Sequence, residues 1–258
     1  MIFRGRHLGC ISVTWLFERT RWDVGRIKAA RINAFTTDFS ATLKRSPRVL
    51  KAALAAMLVI DVIFIIISAS EDVRGFQDHL HISFDIGHAE QFQYVKWAIL
   101  LVTLGYVSIA ARSLMHCAWA VLFLYLLIDD SQQLHETFGK QLAQAWGLRP
   151  MLGLRAQDFG ELAVTAIATV PLACLIAAAY SFSDRNARRF CHTGGLLLVA
   201  LAFFGIVMDM IEIIVPWARL RQVCGLIEDG GEMIVASLIV AYCVGNSLGA
   251  GARSMSVD

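Results

Sequence analysis

VLKAALAAMLVIDVIFIIISA, residues 49–69, is the stretch on which the fold turns. It carries two charges, Lys51 and Asp61, and apart from Ser68 the rest is apolar. As a helix rising about 1.5 Å per residue, it covers roughly the 30 Å of a bilayer's hydrocarbon core. A surface helix of a soluble domain keeps a polar face, and a half-buried strand alternates. This run does neither, and it reads as a transmembrane helix.

Five further stretches repeat the pattern, at roughly 95–112, 114–133, 159–181, 194–215 and 226–246. The third and sixth spans are purely apolar only over Leu114–Ile128 and Met233–Val244. They reach full length only if the polar ends carrying Asp129, Asp130, Glu228 and Glu232 continue the helix. Composition agrees with this reading: 57% of the 258 residues are hydrophobic and 17% charged, with a mean hydropathy of +0.60. A soluble domain of this length does not need so much apolar surface. The expected fold is an all-α integral membrane protein, a six-transmembrane-helix bundle. It comprises a basic, amphipathic segment at 1–48, a transmembrane domain at 49–247 and a short tail at 248–258. Pro171 is expected to bend the fourth span and Pro216 to end the fifth.

The net charge of +2 says less than where the charges fall. Eleven Lys and Arg lie in the first 51 residues, and with six spans that side collects sixteen. The opposite side has seven: Arg74, Lys96, Lys140, Arg149, Arg155, Arg219 and Arg221. Positive residues stay inside, which orients both termini toward the cytoplasm of a bacterial-type inner membrane. The arginines of residues 1–48 are interleaved with Trp15, Phe17, Trp22, Phe35 and Phe39. That pattern suits a helix lying in the anionic inner interface, so the expected partner is the lipid bilayer and not nucleic acid. Cys117, Cys174 and Cys243 fall inside apolar runs, and Cys10 and Cys191 on the inner side. Cys224 is then alone outside, and no disulfide framework follows. The apolar stretch Leu8–Phe17 is interrupted by Thr14 and followed by Glu18, Arg19 and Arg21, unlike a cleavable signal peptide.

Function is sought in the acids. Asp129, Asp130, His135 and Glu136 end the third span; Asp158 and Glu161 begin the fourth; Asp209 and Glu212 end the fifth; Glu228, Asp229 and Glu232 begin the sixth. On the six-span topology all of these ends face the periplasm. At helical rise, Asp61 lies about 12 Å and Asp209 about 9 Å below the outer boundary, with the others within a turn or so of it. Asp209 and Glu212 are three apart, Glu228 and Glu232 four apart, so each pair shares a helix face. Asp129, Gln132, Gln133 and Glu136 form a stripe at i, i+3, i+4 and i+7, with His135 beside it. Acids at membrane depth need a cation, a proton or a basic partner, and Arg155, Arg219 and Arg221 are the main basic candidates.

Carboxylates and a histidine converging from several helices are ligands for a divalent metal ion. The expected ligands are Asp129, His135, Glu136, Glu161, Asp209, Glu212, Glu228 and Glu232, with Glu136 or Glu232 free to move protons in a membrane metalloenzyme. A transporter would use the same acids, with Asp61 and Asp209 as successive stations. A non-catalytic scaffold would use them for packing or for a periplasmic partner. The competing local reading is that several are solvated helix-start residues, Asp158 and Glu228 above all, placed to favour the helix dipole. In the first outer loop, Asp78, His81, Asp85 and His88 would share one face if helical, as a metal-capturing lid or simply as the polar side of a surface helix. The Gly230-Gly231 pair permits close helix approach beside these acids. No paired Glu-x-x-His, His-Glu-x-x-His, Walker loop or Gly-x-Ser-x-Gly elbow is present. His116 and His192 sit at inner helix ends, unlike a bis-histidine haem pair.

Overall fold

A computed structural model describes residues 32–74, 79–83 and 87–254, all helix and connecting turn. The first helix, α1, runs through residues 32–45. Pro47 then starts α2 (Arg48–Arg74), its missing N–H costing nothing in a first turn. There follow α3 (His88–Ala110), α4 (Leu114–Gln132), α5 (Leu134–Ala145), α6 (Ala156–Ser181) and α7 (Arg185–Ala202). A π-helical turn, Phe203–Met208, joins α7 to α8 (Asp209–Ile214), and α9 (Ala218–Ser254) ends the described chain. Residues 1–31, Asp78 and Asp85 lie outside the described residues, and with them most of the expected interfacial segment.

Five helical stretches are long and apolar enough to cross a membrane: Arg48–Glu71, His88–Ala110, Leu114–Gln132, Ala156–Ser181 and Arg185–Ile214. They coincide with the first five expected spans; residues 226–246, the expected sixth, fall in α9, which is not among the five. α2 and α6 leave apolar side chains such as Val62, Ile66, Ile167 and Val170 uncovered, as lipid-facing helices do. α9 is the centre of the molecule, packing against α2, α3, α7, the π turn and α8. Its residues Ala236, Ile239, Tyr242 and Cys243 are buried.

An aromatic column crosses the bundle. Trp97 of α3 stacks on Phe123 of α4 at 5.8 Å, Trp119 meets Phe190 of α7 edge-on at 5.4 Å, and Phe190 stacks on Tyr242 of α9 at 5.8 Å. Phe39 of α1 continues it onto Tyr242 at 6.0 Å. Such pairs contribute about 1 kcal/mol each beyond area burial. The Asp38 carboxylate accepts from the hydroxyls of Thr193 and Tyr242, both at 2.8 Å. Ser46 packs where a side chain on Gly245 would stand. The first and last described helices therefore meet at one end of the bundle, the end opposite the acids.

Helix ends follow local chemistry. Asp184 caps α7 by accepting from the Ala187 N–H at 2.9 Å. Val215 is extended before Pro216, as the residue before proline must be, and this ends α8 as expected. α6 continues through Pro171. Two expectations fail. α4 stops at Gln132 because Gln133 adopts a left-handed conformation (φ 49°, ψ 45°), so the stripe from Asp129 to Glu136 is split between two helices. In the α2–α3 connection the described residues 79–83 form turns and not helix, and His88 opens α3.

Candidate functional site

The acids of α8 and α9 come together. One carboxylate oxygen each from Asp209, Glu212 and Glu228 lies within 4.8 Å of the others. Two backbone breaks produce this. The π turn reaims the chain immediately before Asp209, and the Val215–Trp217 elbow folds α9 back against α8. π turns inside α-helices recur at functional sites because the extra residue redirects the side chains that follow. Gly225 of α9 gives Glu212 room, since a side chain there would stand 3.2 Å from the carboxylate. The Oε2 atom of Glu228 is buried without a hydrogen-bond partner.

Glu232, one turn further along α9, lies against Gly205 of the π turn, where any side chain would collide with its carboxylate. It is within electrostatic reach of Asp130, Asp229, His135 and Asp209, so it joins the two halves of the acidic end. Asp229 accepts from the Ser83 hydroxyl and feels Glu212 and His81. His81 is buried, and its Nδ1 accepts from the Ser83 N–H at 3.2 Å. The turn at residues 79–83 thus reaches Asp229 through Ser83 and His81. His88, exposed at the start of α3, donates its backbone N–H to the His79 carbonyl.

Other expected residues have local partners. Asp129 accepts from the backbone N–H of His135 at 3.0 Å and lies 3.1 Å from its Nδ1. That carboxylate holds the imidazole pKa up, at about 9 against an ordinary 6.5. Asp130 accepts from the Trp97 indole at 2.7 Å. Glu136 lies 3.6 Å from Lys140 on α5, beyond the break at Gln133. Asp158 is a helix-start residue: it accepts from the Arg155 backbone at 2.6 Å and from the guanidinium at 2.9 and 2.7 Å. Glu161 accepts from Gln157 and sits against Gly139, where α5 and α6 approach so closely that a side chain on Gly139 or Gly160 would strike backbone.

Asp61 belongs to a different arrangement. It is fully buried and 2.7 Å from the Nζ of Lys96, also fully buried, and it accepts from Ser237 at 2.6 Å. Lys96 donates to the Met233 carbonyl at 2.9 Å and lies over the Phe92 ring. Lys96 is therefore not an outer-loop charge, which corrects its place in the charge count. The signal lay in the helix start: α3 begins at His88, seven residues before position 95, which puts Lys96 two turns inside. Sequence reasoning also missed Asp38, Ser83 and the π turn, none of which has a motif. Cys224, expected outside, is buried.

A family model described as Domain of unknown function (DUF8692) matches residues 52–245, more than half of the chain and nearly all of the bundle. No curated protein and no solved structure matched.

Proposed function

The chain belongs to the DUF8692 family, a family of unknown function, and we propose that it is a six-span inner-membrane protein whose periplasmic acidic end binds a divalent cation. The observation that carries this is the carboxylate trio of Asp209, Glu212 and Glu228, with Glu228 Oε2 buried and unpartnered. Three carboxylates this close repel one another in a medium less polar than water unless a cation or protons offset them. Oxygen donors from two helices suit a hard cation. Glu232 and Glu161 are within electrostatic reach of the trio as further ligands or proton carriers, and Glu232 is the group to move protons if the bound metal activates water. His135 and Asp129 border this set, with His135 engaged by Asp129. The turn at 79–83 meets Asp229 beside this set through Ser83 and His81.

Support for a closed binding site over a conduit comes from Asp61. The next acid below the cluster is already neutralised by Lys96 and held by Ser237, so it offers a travelling cation no empty station. In this reading the sixth span is the apolar part of α9 and both termini are cytoplasmic.

The test is direct. Purified protein should bind Mn2+, chelation should lower its melting temperature, and Glu228→Gln with Asp209→Asn should remove both effects. Binding to the folded state alone stabilises by about 2.7 kcal/mol at a hundredfold excess over Kd. A melting curve indifferent to chelator, together with no Mn2+ binding, would overturn the cation reading and leave protonated acids in a packing network.

A further inference from the structure

Beside the acids lies a surface the proposed function does not use. The α5–α6 connection closes on itself through paired backbone hydrogen bonds between Met151 and Leu154. At its tip Leu152 is held in the left-handed region (φ 58°) and is 77% exposed. A leucine there is strained by about 1 kcal/mol or more, and among the described residues no packing repays it. Gly153 packs against Ile214, which brings this tip to the α8–α9 elbow. The elbow presents Trp217, 69% exposed, and the α5 end presents Trp146, 60% exposed. Met151 is also uncovered. Around these stand the exposed Arg149, Arg219 and Arg221, with Arg221 fixed by donating to the Val215 carbonyl at 3.0 and 3.3 Å.

Apolar tips, two tryptophans and arginines on one rim are what the headgroup layer of a bilayer selects. Indole rings settle at that depth, and guanidinium groups bind lipid phosphate. Length agrees. α9 has 37 residues, about 55 Å of helix against roughly 30 Å of hydrocarbon. One or both of its ends therefore extend past the hydrocarbon, and Leu220 and Val223 in its first turns are uncovered. The uncovered apolar face of α6 leads down from the same rim.

We infer that this rim is a binding surface for anionic phospholipid, with headgroup phosphates on Arg149, Arg219 and Arg221 and the upper acyl chains against Leu152, Met151 and Trp217. The carboxylate trio, on the same elbow, then opens into the headgroup layer and not into bulk water. A protein partner on this rim is the competing occupant, but the arginines and the apolar face of α6 favour lipid.

The experiment uses the full chain in phosphatidylcholine vesicles containing equal shares of either dibrominated phosphatidylglycerol or dibrominated phosphatidylcholine. The contribution of the rim is the difference in tryptophan quenching between the wild type and Trp146→Phe/Trp217→Phe, which cancels the other four indoles. Each single variant serves as a control for folding. The rim indoles should be quenched at least twofold more by the brominated phosphatidylglycerol, and Arg149→Gln/Arg219→Gln should bring the two lipids to parity. Absence of quenching by either lipid means that water or a protein faces the rim and overturns the inference. Equal quenching that the arginine substitutions leave unchanged overturns it as well. Neither outcome depends on whether Mn2+ binds the acids.

Discussion

At the scale of single residues, the Asp129–His135 pair shows how a candidate ligand acquires another role. Asp129 turns back across the α4–α5 break and caps α5 through the His135 backbone while holding the imidazole. The imidazole pKa is raised in the folded state, so its stabilisation is complete below the ordinary value of 6.5 and is lost as pH rises through about 9. Between about pH 6 and pH 10 the wild type should lose at least 2 °C more of its melting temperature than Asp129→Asn does. Parallel curves would show that the pair does not form. The same contact leaves a metal only the Nε2 of His135, and that nitrogen must first lose its proton, so metal binding through His135 should weaken at acidic pH.

Among elements, the decisive arrangement is the grip of α2 and α3 on α9. Lys96 reaches both Asp61 and the Met233 carbonyl, and Ser237 completes the carboxylate's partners, so one buried network sets the register of three helices. Removing one partner of a buried pair leaves an uncompensated charge and costs about 3 kcal/mol or more, while an apolar pair of similar volume can be nearly neutral. Asp61→Leu and Lys96→Met should each destabilise strongly in thermal melts. The double variant should recover most of the loss. A double variant as unstable as the worse single one would mean that the network does more than neutralise itself. Met233 directly follows Glu232, so the network also fixes where the acidic end of α9 begins.

For the whole molecule, the proposed orientation makes its own demand. Gln144, exposed near the end of α5, belongs outside and Phe182, 81% exposed in the α6–α7 turn, belongs inside. With the native cysteines replaced, a membrane-impermeant maleimide should modify Gln144→Cys in intact cells and Phe182→Cys only after permeabilisation. The reverse pattern would invert the protein and move the acids to the cytoplasm. Buried Cys224 is a poor reporter for this purpose. With Lys96 buried, the count behind the proposed orientation becomes sixteen Lys and Arg against six.

What the sequence determined by itself is the part that depends on local composition. Apolar runs such as residues 49–69 dictate long helices, because a helix satisfies every backbone group within its own segment. Pro216 places a helix end by local sterics, and this was legible without coordinates. The tertiary structure decided which polar groups meet. Whether Lys96 serves as an outer charge or as the partner of Asp61 depends on α2 and α3 lying side by side, 35 positions apart in the chain. The expected stripe from Asp129 to Glu136 failed because a single left-handed residue, Gln133, rotates everything after it, and glutamine carries no signal for that conformation. The trio of Asp209, Glu212 and Glu228 exists because a π turn and an elbow fold α8 onto α9. Hydrophobic periodicity reports a helix and the face it presents, but the distance between charges on different helices is set by packing, which no single segment encodes.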